Sequence, residues 1–306
     1  MGQKDPLSTT SREGDGTKKS PRHRLRGRGL GRGGKNKQFQ LMTVHNLERI
    51  NMQIIDNLDH WHTLRASLDK SITLGFVPTM GNLHAGHRSL IKQSQQENKQ
   101  TIVSIFINPS QFTNQEDFIH YPRTLEDDLK LLTDEGVHYC FLPTEQSLYP
   151  QGFRYQIQET ELTERMEGKH RPGHFAGVLT IVMKLLNIVH PHQAYFGEKD
   201  YQQYLLIRDM AADFFLDVQI TSCPTIRENT GLAYSSRNNR LSPIARRQAE
   251  QFAQLFHQGK TCVEIRKALE NSGIKVDYIE DYNGRRFAAV YIGTIRLIDN
   301  YPKKSI

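Results

Sequence analysis

The chain has 306 residues and a net charge of +7, and 37% of its residues are hydrophobic. This length is enough for two domains with a sizeable core. Residues 1–37 contain eleven Lys or Arg and three Asp or Glu, a net charge of +8, so the rest of the chain sums to −1. This distribution does not indicate a nucleic-acid-binding domain, which would carry its positive charge on a folded face.

The first 51 residues form a basic extension. Residues 1 to about 41 are rich in Gly, Arg, Lys and Ser and poor in aliphatic residues, a composition that predicts disorder. The run RLRGRGLGRGG, residues 24–34, is similar to an RG-rich RNA-binding arm, although such runs are more often solvated tails. A third interpretation is that translation starts at Met42 or Met52.

The cysteines and the apolar segments favour a cytoplasmic location. Cys140, Cys223 and Cys262 are far apart and form no CxxC pair, so neither a disulfide framework nor a zinc site is indicated. The longest apolar stretch, residues 177–189, contains Lys184 and is shorter than the roughly 20 residues that cross a bilayer. The N-terminal residues show no apolar run typical of a signal peptide. We expect no membrane contact.

Short β-branched or aromatic runs alternate with helical periodicity from Met52 onward. One helix is predicted from an apolar stripe over residues 178–189, and another from near Thr124 to Gly136. This alternation predicts a Rossmann-like α/β fold, a parallel sheet with helices on both faces and ligands beyond the carboxyl ends of the strands. The predicted strands are 53–55, 73–77, 101–107, 137–142, 194–196 and 218–221.

The pattern changes after Pro224. Ser242-Pro243 is typical of a helix start, and residues 287–292 and 294–298 predict antiparallel strands that turn at Gly293. We therefore expect a Rossmann-like domain over residues 52–224 and a smaller α+β lid domain over residues 225–306.

The strongest motif is PTMGNLHAGH, residues 78–87, where a predicted strand runs through a glycine-containing loop into a helix. The start of a helix offers free N–H groups that suit phosphate, and His84 and His87 lie one turn apart. The alternatives are that the two histidines cap the helix, lie at the surface, or bind zinc, for which no third ligand is evident.

This motif resembles the pantothenate synthetase family of the HxGH nucleotidyltransferase superfamily. Five further segments match that family in the same order, so the resemblance covers Met52 to Asn238. The segments are INPSQF (107–112), YPRT (121–124), RPGHF (171–175), FGEKDYQQ (196–203) and SSRN (235–238).

The resemblance implies condensation of pantoate with β-alanine. ATP first converts the pantoate carboxylate to an acyl adenylate with loss of pyrophosphate, and the amine of β-alanine then displaces AMP. His87, His84 and Lys199 are the candidate catalytic residues, because donors are needed where negative charge develops. The implied ATP-binding residues are Met80, Gly81, Asn82, Leu83, His84, Ala85, Gly86, His87, Gly197, Glu198, Lys199, Asp200, Ile226, Tyr234, Ser235, Ser236 and Arg237.

Other residues are assigned to the two substrates and to a metal. By resemblance Gln111 and Gln203 bind pantoate, and neutral amides suit this task because they bond a carboxylate without neutralising it. The further implied substrate contacts are Asn108, Arg171 and His174. The resemblance also implies that Asp127 helps to hold Mg²⁺, although Thr124 and Asp127 could instead form a capping box.

The chain departs from the family pattern at two points. Tyr234 stands where leucine is usual in the family, and the segment after Arg237 is short for the family. The resemblance therefore does not determine how far the lid domain closes. A homodimer is the family's usual assembly. Two other functions compete: a nucleotidyltransferase that stops at a nucleotidylated product, and an RNA-binding protein that uses the basic extension on an inactive fold.

Overall fold

The structure is a computed structural model that describes residues 51–303. A parallel sheet is formed by β1 (Gln53–Ile55), β2 (Leu74–Thr79), β3 (Gln100–Ile105), β4 (Tyr139–Phe141), β5 (Gln193–Gly197) and β6 (Gln219–Cys223). The strands lie in the order β1-β4-β3-β2-β5-β6. The N-terminal extension, with its three interpretations, lies outside the described residues except for Asn51.

Helices connect the strands and cover both faces of this sheet. They are α1 (Leu58–Ser67), α2 (Ala85–Glu97), α3 (Gln115–Ile119), α4 (Leu125–Asp134), α5 (Glu145–Leu148), α6 (Met166–His170), α7 (His174–Val189) and α8 (Tyr201–Asp213). Consecutive residues of β2 show the two layers, because side chains alternate along a strand. Phe76 belongs to the core formed with α7 and α8, whereas Val77 belongs to the core formed with α2 and α4.

The strand order places a crevice beside β2. The chain runs from β2 to β3 and β4 in one direction, then returns to pair β5 with the opposite edge of β2 and continues to β6. Loops that leave the carboxyl ends of β2 and β5 therefore diverge at this point. Such a switch in direction is where open α/β sheets bind their ligands.

The C-terminal part has its own sheet and core. It contains α9 (Pro243–Phe256), α10 (Cys262–Asn271), β7 (Lys275–Tyr282), β8 (Arg285–Ile292) and β9 (Ile295–Pro302). The three strands are antiparallel in the order β7-β8-β9. Phe252 and Phe256 of α9 and Leu269 of α10 pack on this sheet and are fully or almost fully buried.

The observed elements confirm the predicted fold class, including the hairpin at Gly293, which adopts a positive φ of 60°. Strand β7 was not predicted, because its charged residues interrupt the apolar pattern. The capping-box interpretation of Thr124 is wrong. Its hydroxyl makes no cap bond and donates instead to Asp128 of α4 at 3.1 Å.

Candidate active site

The loop after β2 has a fixed, unusual backbone. Gly81 and Asn82 have positive φ angles of 78° and 49°, so the chain turns sharply before α2. Thr79 Oγ1 accepts the N–H of Gly81 at 3.2 Å. The carboxylate of Asp128 accepts the N–H groups of Asn82 at 2.9 Å and of Leu83 at 2.7 Å. These bonds use the backbone donors of the loop that face α4.

The two histidines of the HxGH motif cap α2. Nδ1 of His84 accepts the N–H of Gly86 at 3.1 Å, and Nδ1 of His87 accepts the N–H of His84 at 3.3 Å. The ring centroids are 4.1 Å apart. Because each Nδ1 accepts a hydrogen bond from a backbone N–H, the neutral rings carry their hydrogen on Nε2. The capping interpretation is therefore observed, and it leaves one N–H donor on each ring for a ligand.

Burial keeps both imidazoles neutral. It lowers the pKa of His84 to about 4, and the charge of Lys199 adds to this effect. The pKa of His87 lies well below its usual value, because this ring is buried and lies near His84 and Lys199. At neutral pH the pair consists of two uncharged hydrogen-bond donors beside one ammonium group.

Lys199 lies in a short 3₁₀ turn, Glu198–Asp200, that follows β5. Its ammonium nitrogen is 3.7 Å from Oδ1 of Asp200, and 19% of its side chain is exposed. Lys199 thus reaches the crevice from the second of the two diverging loops.

Asn108 and Gln111 belong to the loop after β3. Asn108 is 1% exposed; its Nδ2 donates to Oε1 of Gln111 and to the carbonyl of Gly177, each at 3.2 Å. Nε2 of Gln111 contacts the sulfur of Met80 at 2.8 Å. A thioether is a weak acceptor, so the Gln111 amide is free to exchange it for a carboxylate.

Arg171, which follows α6, and His174, the first residue of α7, support the same loop. The guanidinium of Arg171 donates to Nε2 of His174 at 2.9 Å, because arginine can only donate. His174 therefore carries its proton on Nδ1 and donates it to the carbonyl of Gln111 at 2.7 Å. Burial, reinforced by Arg171, lowers the pKa of His174 to about 3.

The segment from Tyr234 to Arg237 approaches the HxGH loop from the other side. The Tyr234 ring stacks at 6.2 Å from His84. The carbonyl of Ser236 accepts Nδ2 of Asn82 at 3.1 Å, and Arg237 forms an ion pair with Asp117 at 2.6 Å. Asp117 also pairs with Arg240, so α3 is tied to this segment.

These segments enclose one cavity of about 230 Å³. Most of the predicted site residues line it: Met80, His84, Gly86, His87, Asn108, Gln111, Arg171, His174, Gly197, Lys199, Asp200, Gln203, Ile226, Tyr234, Ser235, Ser236 and Arg237. Six predicted residues do not line it: Gly81, Asn82, Leu83, Ala85, Glu198 and Asp127. The first four belong to the HxGH loop and lie between the lining residues Met80 and Gly86 in sequence.

Asp127 is exposed on α4, whereas its neighbour Asp128 is 2% exposed and holds the HxGH loop. Residues 51–303 contain no group of three or more His, Cys, Asp or Glu arranged to hold a metal ion. Over the same residues, no helix is long and apolar enough to span a membrane.

Sequence reasoning missed Asp128 and Asp117. Asp128 is one of three consecutive acids, and only its position on α4, toward the loop, distinguishes it. Asp117 lies far from Arg237 in sequence, so no local pattern pointed to their pairing.

The fold and the cavity define a nucleotide-binding α/β protein, and three comparisons agree. Residues 52–302 match the model of the pantoate-beta-alanine ligase family. A pantothenate synthetase of Legionella pneumophila (strain Corby) is 59% identical over 250 residues, which cover 82% of this chain and 99% of that protein. A pantothenate synthetase of Coxiella burnetii (strain Dugway 5J108-111) is 50% identical over 250 residues, which cover 82% of this chain and 96% of that protein.

A solved structure gives the same result. The pantoate-beta-alanine ligase of Francisella tularensis, in complex with beta-gamma ATP and beta-alanine, superposes with a TM-score of 0.80 at 44% identity, covering 83% of this chain and 99% of that one. The chain therefore belongs to the pantoate–β-alanine ligase family.

Proposed function

We propose that the chain joins pantoate to β-alanine in two steps through a pantoyl adenylate. ATP-dependent joining of these two substrates is the activity of the family to which the chain belongs. In the first step an oxygen of the pantoate carboxylate attacks the α-phosphorus of ATP, and the bond to pyrophosphate breaks. In the second the amine of β-alanine attacks the acyl carbon, AMP leaves, and the nitrogen loses a proton.

The observation that carries this proposal is the convergence of His84, His87, Lys199, Gln111 and Gln203 on one cavity. Two neutral N–H donors and one ammonium group suit a phosphate chain whose negative charge shifts as pyrophosphate leaves. The two carboxamides suit a hydroxy acid that must keep its carboxylate nucleophilic. The solved Francisella protein, bound to an ATP compound and beta-alanine, supports this assignment.

Positioning supplies much of the expected rate, because no protein nucleophile is required. Holding the carboxylate in line with the α-phosphorus converts a bimolecular step into a unimolecular one. Asn108 and His174 fix the loop of Gln111 from two sides, through its side chain and its backbone. Other predicted ATP contacts also line the cavity and so support this nucleotide site: Met80, Gly86, Ile226, Tyr234, Ser235, Ser236 and Arg237.

We propose that Mg²⁺ arrives as part of the ATP substrate and that Asp127 contributes to its coordination. Magnesium keeps several waters and takes one or two carboxylates plus phosphate oxygens, so a single exposed carboxylate is chemically suitable. Asp127→Asn should raise the Mg²⁺ concentration required for half-maximal rate, whereas Glu126→Gln, at an exposed neighbouring position, should not. An equal Mg²⁺ requirement in the two variants would show that Asp127 does not coordinate the metal.

We also propose a cytoplasmic homodimer with domains divided near residue 224. The three cysteines are free, which is compatible with a reducing compartment. Sedimentation gives the oligomeric state. If the basic extension binds RNA, deletion of residues 1–41 will abolish a salt-dependent affinity for RNA and leave ligase turnover intact.

The activity test is an omission series. Purified chain is incubated with ATP, Mg²⁺, pantoate and β-alanine, each is left out in turn, and AMP and pantothenate are followed by mass spectrometry. Pantothenate should require all four. A stable nucleotide conjugate without amine-dependent AMP release would instead support a nucleotidyltransferase, and absence of any turnover would refute the ligase.

A further inference from the structure

The turn that carries Lys199 is held by a side chain of the C-terminal sheet. Nδ2 of Asn300, on β9, donates to the backbone carbonyls of Glu198 and Lys199, each at 2.8 Å. Asn300 is 3% exposed. One buried amide group therefore binds two successive peptide units of the turn and fixes the backbone from which Lys199 extends.

Arg285, on the neighbouring strand β8, braces this contact. Its guanidinium donates to Oδ1 of Asn300 and to Oε2 of Glu198, the latter at 2.8 Å. It also lies over the ring of Tyr201, with its central carbon 3.7 Å from the ring centroid. A planar guanidinium can donate hydrogen bonds to an amide and a carboxylate while it stacks on an aromatic ring, which a lysine ammonium group cannot do.

The contact of Glu198 with Arg285 distinguishes it from its neighbours. The sequence predicted an ATP contact for Glu198, yet its carboxylate bonds Arg285 and the hydroxyl of Ser222, at 3.4 Å, and it does not line the cavity. Gly197, Lys199 and Asp200 do line it. Within the turn, Glu198 thus serves as the anchor.

Asn300 is itself fixed by its surroundings. Its N–H donates to the buried carboxylate of Asp299 at 2.8 Å. That carboxylate forms a two-point ion pair with Arg227, at 2.7 and 2.8 Å, and contacts His257 at 2.9 Å. The backbone of Asn300 is therefore held in place, and so is the base of the side chain that binds the Lys199 turn.

We infer that Asn300, braced by Arg285, is a positioning residue that sets the location of the Lys199 ammonium group. This inference rests on the proposed function, in which Lys199 binds the phosphates of ATP. A lysine has four rotatable bonds, so an accurate placement of its charge requires that at least its backbone be fixed. Preorganised charge of this kind stabilises a transition state without reorganisation.

Asn300→Asp tests the inference, because it keeps the size of the side chain and removes both N–H donors. The acid would face two carbonyl oxygens, so we expect kcat/KM for ATP in adenylate formation to fall at least about tenfold. Arg285→Lys should cause a smaller loss. Arg286→Lys is the matched control: Arg286 is also buried, alternates to the other face of β8 and pairs with Asp281. Its rate should stay within about twofold of wild type.

A double-mutant cycle separates positioning from general destabilisation. If Asn300 acts through Lys199, then Asn300→Asp will have little further effect in a Lys199→Gln background. A second readout is the protection of Lys199 by ATP against chemical acetylation, mapped by mass spectrometry, which should weaken in the Asn300 variant. If Asn300→Asp does not fold, Arg285→Lys carries both measurements.

The outcomes are distinct. An inactive wild-type chain would refute the proposed function. If the wild type is active, any of three results would overturn the positioning role and leave the ligase assignment in place. The first is an unchanged adenylation rate in both Asn300→Asp and Arg285→Lys, and the second is additive effects in the double-mutant cycle. The third is an equal loss of rate in Arg286→Lys.

Discussion

The carboxylate of Asp128 accepts the backbone N–H groups of both Asn82 and Leu83, and so joins α4 to the loop that precedes the two histidines. Asp128→Ala leaves these buried donors without a partner, which costs about 1–3 kcal/mol. We expect urea unfolding to show a loss of stability in this range, together with slower adenylation. Glu126→Ala, on the exposed side of α4, should leave both quantities nearly unchanged; a similar loss there would show that the effect comes from the helix.

His87→Ala removes one neutral donor from the cavity. Loss of a preorganised donor lowers rates by about 10²–10³, so single-turnover adenylation should slow by this factor while the protein stays folded. His62→Ala, at an exposed position on α1, is the control and should react at the wild-type rate. An unchanged single-turnover rate in His87→Ala would refute the catalytic assignment.

The buried histidines make stability depend on pH. The pKa of His84 is about 4 and that of His174 about 3 in the folded chain, whereas an unfolded histidine has a pKa near 6.5. Below pH 6.5 the unfolded state therefore binds more protons, and stability falls as the pH is lowered. The melting temperature should decrease from pH 7 to pH 5.

The variant His174→Gln should show a smaller decrease over the same range, and His62→Gln should behave like wild type. The range stops at pH 5 because Glu167, whose pKa is about 2 in the fold, affects stability only below about pH 4.5. If the melting temperatures of His174→Gln and wild type fall by the same amount between pH 7 and pH 5, the prediction is wrong.

Gly177 lets α7 approach the loop of Asn108 and Gln111. A Cβ at this position would lie 2.4 Å from the carbonyl oxygen of Ser110, so Gly177→Ala must displace the loop backbone. We expect a higher KM for pantoate and a lower melting temperature. Ala176→Gly perturbs the same helix by about 1 kcal/mol without adding an atom. It should reduce stability but not pantoate binding, and a raised KM in this control would assign the effect to the helix.

The parallel sheet was predictable because alternating strand and helix periods are local signals, and chain order then places the strand ends together. The segments around Gln111, Lys199 and His84 follow from this rule, and all line the cavity. The motifs identified the residues, and the strand ends explain why they meet.

Other features depend on pairings that no local pattern contains. The choice between Asp127 and Asp128 depends on a rotation of about 100° around α4, which a sequence with three consecutive acids leaves open. Asn300 contacts Lys199 across about a hundred residues of chain. In contrast, α10 had a readable signal, a capping box between Thr261 and Glu264.

The contact between Asn300 and the Lys199 turn also bears on biosynthesis. Strand β9 follows every other described element, so the Rossmann-like sheet can assemble on the ribosome before Asn300 has been translated. A nascent chain in that state would have its parallel sheet in place and an unrestrained Lys199. If the positioning role holds, the full rate of adenylate formation is reached last, only once Asn300 has left the exit tunnel.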